Sequence, residues 1–282
     1  RAMRLRGAAM GSLTDPRTAS VVWNTPTFAT GSAKFTSTLT PRLLFEGGFA
    51  FNRERYDNLY QPVIFAVRNT EAWFRNVRKS DQSLGYLWNA SSAQLGNYPD
   101  RYNMSASVSY VTGTHSVKVG VYDSWGPYRR YNNANADLYQ IYNNLQPVQV
   151  TVLNTPLEVK ENLDANLGIF AQDSWRLNRF TLNFGVRFDY LKQRIAGQAA
   201  QSGRFASSPA YGDTVLPVWK DISPRFSAVY DVFGNGKTAI RGGINRFMTA
   251  HTAGFARLYS PTALTTRNLP WVDLNGDDIA QG

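Results

Sequence analysis

The sequence predicts an all-β fold: an antiparallel transmembrane β-barrel segment of roughly eight strands, with short turns at one end and long loops at the other. Three observations carry this expectation. The first is the stretch FTLNFGVRFDY, in which Phe180, Leu182, Phe184, Val186, Phe188 and Tyr190 alternate with Thr181, Asn183, Gly185, Arg187 and Asp189. A period of two sends these sets to opposite faces of a strand, and a strand of this length rises about 35 Å, enough to cross a bilayer when tilted. The second is that short and long connections alternate along the chain, which is the pattern of periplasmic turns and extracellular loops. The third is that no run of about 18 apolar residues exists, so any crossing must use strands. Aromatic residues nevertheless make up 13% of the chain and charged residues only 18%.

Taken in order, residues 1–30 are rich in Gly, Thr, Pro and Arg and read as loop. The first hairpin, 31–56, sets Leu43, Phe45, Gly47, Phe49 and Phe51 on one face and turns at Thr40-Pro41-Arg42, with Leu39 opposite Leu43. Residues 57–100 form a long loop with a short helix near Thr70–Val77. In the second hairpin, 101–128, Met104, Ala106, Val108 and Tyr110 share a face with Val117, Val119 and Val121. Its turn is Gly113-Thr114, where glycine suits type II′. A long loop, 129–162, holds an extended hairpin over Tyr139–Leu153.

The third hairpin, 163–194, turns at Asn178-Arg179. This register leaves Asp173 on the apolar face opposite Phe184, a violation that a β-bulge would remove. After the loop 195–221, the hairpin 222–248 turns at Gly234-Asn235-Gly236, with Gly236 in the left-handed position. Residues 249–282 form the last long loop. Compact domains rarely hold one structureless loop this long, so four on one side favour lipid outside and water inside. The residues expected to face the lumen are Glu46, Asn183, Arg187, Asp189, Arg225, Ser227, Asp231, Arg241 and Asn245. Tyr56, Trp125, Tyr128, Tyr190, Trp219 and Phe247 fall near the long-loop ends of strands, and Trp175 and Phe233 near the short turns, as interfacial girdles do.

The net charge is +10, but the basic residues are dispersed rather than clustered as nucleic-acid binding requires. The absence of cysteine excludes a disulfide scaffold and Cys-ligated zinc. No cofactor-binding pattern is present, and no signal peptide, since the first residues lack an apolar core; both ends read as cut from a longer chain. The two histidines, His115 and His251, have no nucleophile placed beside them by pattern, so no catalytic residue is assigned and an enzyme is not expected. Asp273, Asn275 and Asp277 have the spacing of oxygen ligands for Ca²⁺, but the glycine sits at the fourth position of the loop rather than the sixth. A polar turn accounts for them better.

NLGIFAQDSWRLNRFTLNFGVRFDY (Asn166–Tyr190) resembles the strand–turn–strand signature of TonB-dependent outer-membrane receptors. ISPRFSAVYDVFGNGKTAIRGGINRF (Ile222–Phe247) and DLNGDDIAQG (Asp273–Gly282) resemble the Oar-like, carboxypeptidase-regulatory-like branch of that family. The resemblance covers about 166–282; residues 31–165 fit by strand pattern only. It implies a bacterial outer-membrane location, a 22-stranded barrel of which this would be part, an N-terminal plug, and drive from the TonB energising complex. Nothing in the sequence matches the plug or a TonB box. The function implied is uptake of a large or scarce extracellular solute. The alternatives are a complete small outer-membrane barrel with a structural or adhesive role and, more weakly, a soluble carbohydrate-binding sandwich.

Overall fold

The computed structural model describes residues 3–8, 12–248 and 253–280. Nine strands succeed one another as an antiparallel meander: Met3–Ala8, Val21–Thr40, Leu43–Leu59, Gln94–Val111, His115–Asn133, Leu157–Leu177, Phe180–Ile195, Trp219–Asp231 and Ala239–Asn245. A tenth, Thr214–Val215, pairs with the end of Phe180–Ile195. Among the described residues the first and last strands of this path each have one neighbour, so the sheet is an open wall.

The expected faces follow from the register. Phe45, Val108, Val119, Ala171, Val186 and Pro224 come into line across the wall, with Phe184 beside Phe226, ring centres 5.4 Å apart. Many of these side chains are exposed, including Phe49, Met104, Val119, Ile169, Phe184, Ile222 and Phe226. An exposed apolar band of this extent on a two-faced sheet is what lipid solvates. Its upper margin carries aromatic pairs: Tyr102 stacks with Trp125 at 5.9 Å and with Phe49 at 6.4 Å.

The strands run well beyond what a bilayer needs. Leu157–Leu177 has 21 residues and His115–Asn133 has 19, whereas about 9–11 suffice. At that length the turn-proximal halves of the strands, about 43–51, 102–111, 115–125, 167–177, 180–190 and 222–230, suffice to cross. Beyond them the wall continues into water and the polar face turns apolar: Leu157, Val159, Leu163, Leu191 and Ile195 are buried.

Ile195 is packed by Leu216 and Ala256, which come from two of the long connections, and the long connections also build a folded cap. A five-stranded sheet runs in the order Thr266–Pro270, Gln146–Leu153, Leu138–Asn143, Arg78–Asp81, Leu87–Trp88. It has its own core of Trp73, Val77, Ala136, Leu138, Val150, Val152 and Ala280. The helix Glu71–Arg75, capped by the Thr70 hydroxyl, delivers Trp73.

Several expectations need correction. Residues 1–30 are not loop, since Met3–Ala8 and the first half of Val21–Thr40 lie there. The connections 57–100, 129–162 and 249–282 are not structureless; the first two donate their ends to the wall strands, and all three contribute strands to the cap. Thr40, not Leu39, pairs with Leu43, because the register shifts between Thr38 and Thr40. The Gly113-Thr114 turn stands where expected, flanked by the pair Val111–Ser116, but Gly113 does not have the positive φ that type II′ demands. No bulge rescues Asp173: the register of Leu157–Leu177 shifts only beyond Leu163, and Asp173 stays opposite Phe184. His251 lies outside the described residues.

Candidate functional site

The site is the polar face of the wall together with the cap that closes over its upper half. Alternation places Lys34, Glu46, Ser105, Ser107, Lys118, Tyr122, Gln172, Asn183, Arg187, Arg225 and Ser227 on one face, opposite the apolar band. Glu46 sits between two ammonium groups, 3.1 Å from Lys34 and 2.8 Å from Lys118. These three residues line a concavity of about 530 Å³ with Asn103, Ser105 and Tyr122. A second hollow of about 350 Å³ is lined by Lys118, Gln172, Asn183, Arg225, Ser227 and Asn245.

The anticipated residues are engaged as follows. Asn183 donates from Nδ2 to Ser227 Oγ at 3.1 Å. Arg187 pairs with Asp189 at 2.7 Å, and Gly168 leaves the room this arginine occupies: a Cβ there would fall 2.0 Å from the guanidinium. Arg225 lies over the Phe247 ring at 4.7 Å. Arg241 and Asn245 are exposed on the last strand, in register with Val229 and Arg225. Asp231 ends its wall strand, paired with Ala239, and its side chain serves the turn: its two oxygens accept from the amides of Gly234 at 2.9 Å and Gly236 at 2.7 Å. Those glycines have φ of 70° and 72°, which a side chain would disfavour. The face is therefore a set of compensated charges, a wet surface rather than a uniformly basic filter.

Asp273, Asn275 and Asp277 form a polar turn. Asp273 accepts from the amides of Gly276 at 2.9 Å and Asp278 at 2.8 Å, and Asp277 accepts from Ile279 at 3.0 Å. Among the described residues no cluster of three or more metal-binding side chains occurs. The turn's effect is to aim Asp278 into the cap, where its carboxylate takes hydrogen bonds from Lys79 and Tyr142 and its carbonyl from Gln140 at 3.1 Å.

The cap's electrostatics are buried and paired. Asp137 is fully buried and held by Arg68 at 3.1 and 2.5 Å, by the Thr155 hydroxyl at 2.7 Å and by the Arg204 amide at 2.9 Å. Arg68 also lies over Trp73, 4.7 Å from the ring centre. At the junction with the wall, burial pushes the Tyr131 hydroxyl well above the usual phenol range, reinforced by the Asp57 carboxylate that accepts from it at 3.0 Å. Burial pushes the Asp100 carboxyl up, but hydrogen bonds from Arg55 at 2.9 and 2.8 Å outweigh this and hold it below the usual range. Sequence reasoning missed Trp73, Asp137 and Asp278, because the cap's core is gathered from positions far apart with no shared period. Lys118 was legible in its alternation with Val117 and Val119.

Comparison with known proteins agrees with this geometry. The outer membrane beta barrel domain family matches residues 8–272, and the chain belongs to that family. Among curated proteins it is similar to the TonB-dependent transporter Oar of Myxococcus xanthus, 36% identical over 84 residues, which is 29% of this chain and 7% of that protein. The chain thus matches only a small part of that relative's length. No solved structure matches. The all-β wall and the family together place the protein in the bacterial outer membrane.

Proposed function

We propose that this wall is part of a TonB-dependent transporter of the Oar-like branch, taking up a large or scarce solute from outside the cell. The carrying observation is the pairing of a charge-compensated polar face with a self-cored cap above it. A wide, wet lumen needs the first, and selective capture from outside uses the second. The open sheet, in which each terminal strand has one neighbour among the described residues, supports a larger closed barrel, since unpaired backbone groups cost several kcal/mol each in lipid. The similarity to Oar supports energy input through TonB. The predicted plug would then fill the lumen against Glu46, Asn183, Arg187, Asp189, Arg225, Arg241 and Asn245.

The test is comparative uptake. Strains lacking the gene, and strains lacking the energising complex, are expected to leave the same solute in the medium. A gene deletion that alters surface attachment and leaves every solute's uptake unchanged would favour the structural or adhesive barrel.

A further inference from the structure

We infer that the outward face of the wall, just beyond the aromatic margin, is a binding site for a phosphate-bearing lipid of the outer leaflet. The site does not depend on the transporter reading; it rests on the outer-membrane location and on the register.

Beyond Phe51, Tyr102 and Trp125 the apolar face continues into Arg53, Arg55, Asp100, Tyr98 and Arg129, and onto Lys160 and Glu158 of the next strand. Tyr98 is paired with Arg129, and Arg129 with Lys160, as cross-strand neighbours. The guanidiniums of Arg55 and Arg129 flank the single Tyr98 ring, 5.6 and 5.7 Å from its centre. Arg55 forks onto Asp100 at 2.9 and 2.8 Å, with Arg53 on the same carboxylate at 3.2 Å. Arg129 and Lys160 share Glu158 at 2.7 and 3.3 Å.

Four cations thus surround two carboxylates, with Asp57 a third acid that accepts from the Tyr98 hydroxyl at 2.5 Å, which leaves the cluster net positive by one charge. The Asp100 side chain is 10% exposed and that of Glu158 33%, whereas Arg53, Arg129 and Lys160 are 52%, 50% and 49% exposed. Asp100 lies beneath and fixes Arg53 and Arg55, the latter 28% exposed, while Arg53, Arg129 and Lys160 stand outermost. Such a preorganised, net positive surface is complementary to a phosphate ester. Its level selects a lipid over a free ion: it adjoins the apolar band, so a phosphate here has its acyl chains lying against the same face. Tyr190, followed two residues on by Lys192 and paired with Lys220, continues the same arrangement along the wall.

The experiment uses the protein purified from outer membranes and titrated into phosphatidylcholine vesicles carrying a minor fraction of lipid A. Wild type is expected to bind lipid A about tenfold or more tightly than its dephosphorylated form, as loss of charge-assisted contacts requires. Arg53→Gln with Arg129→Gln should abolish that preference, and Arg53→Lys with Arg129→Lys should restore part of it. Arg42→Gln, at a short turn at the other end of the wall, should bind as wild type. Equal binding of the two lipid forms by wild type, retention of the preference by the double glutamine variant, or its loss in Arg42→Gln would overturn the assignment. Full competition by millimolar inorganic phosphate would overturn the lipid as the occupant.

Discussion

Asp173 stands opposite Phe184 on the apolar face, with one carboxylate oxygen 2.6 Å from His115 Nδ1. Trp175 stacks on the same imidazole, ring centres 5.3 Å apart, and the other oxygen is buried without a hydrogen-bond partner. An acidic side chain in lipid-facing register is tolerated here because it is near the short turns and paired. His115→Leu is expected to destabilise the protein by about 1–3 kcal/mol by leaving the carboxylate alone. Adding Asp173→Leu should recover most of that loss. Urea unfolding from lipid vesicles checks this, and a double variant no more stable than the single one would contradict it.

The two faces should respond differently to the same charge. Phe184→Arg is expected to cost about 2–4 kcal/mol if the position lies near the midplane. Asn183→Arg, beside Ser227 on the polar face, should cost much less. Equal costs in a membrane-folding assay would reverse the assignment of faces.

Trp73 is buried in the cap core against Val77, Leu138 and Ala280. Trp73→Ala should cost the cap about 3–5 kcal/mol while the wall, which shares none of these contacts, stays folded. Limited proteolysis should then cut within 60–90 and 140–155 and spare 167–190.

Gly126 has φ of 148°, and a Cβ there would fall 2.0 Å from the Asp100 carbonyl oxygen. The obstacle is backbone, which cannot step aside. Gly126→Ala should unpair the wall locally, exposing the amides of Tyr98 and Arg129 to hydrogen exchange, whereas Gly236→Ala should act only on its turn.

Asp100 gives the pH dependence a sign. Its carboxyl is held below the ordinary value of 3.8, with Arg55 overcoming the effect of burial. A depressed folded-state value contributes stability above the unfolded value and loses it as pH falls through the folded one. The stability difference between wild type and Asp100→Asn should therefore be constant above about pH 5 and shrink below 3.8. A difference that grew with acidification would refute the pairing.

The wall was legible because its signal is local. Alternation in Phe180–Tyr190 and the residues around Asn178-Arg179 fix register over a few positions, and Leu177 meets Phe180 as that reading requires. The extended hairpin expected over Tyr139–Leu153 is present as Leu138–Asn143 and Gln146–Leu153, but it is the middle of a sheet and not a free arm. The rest of the cap was not legible, because its partners are distant: Arg78–Asp81 pairs in parallel with Leu138–Asn143, a pairing with no periodic trace in either segment. The expectation for the polar face rests on alternation within single strands, whereas its pairings, such as Glu46 with Lys34 and Lys118, depend on strand neighbours.

The latch between Asp278 and Lys79 joins residues 199 positions apart. Each wall hairpin closes over a handful of residues and can zip as soon as its turn forms, whereas this contact must wait for nearly the whole chain to be delivered. Ala280 enters the Trp73 core by the same route. The outward-facing half of the molecule is therefore the last to acquire its shape: the staves can be laid in the bilayer before the lid has its final plank. Until then, Asp278, Lys79 and Tyr142 are not yet side by side.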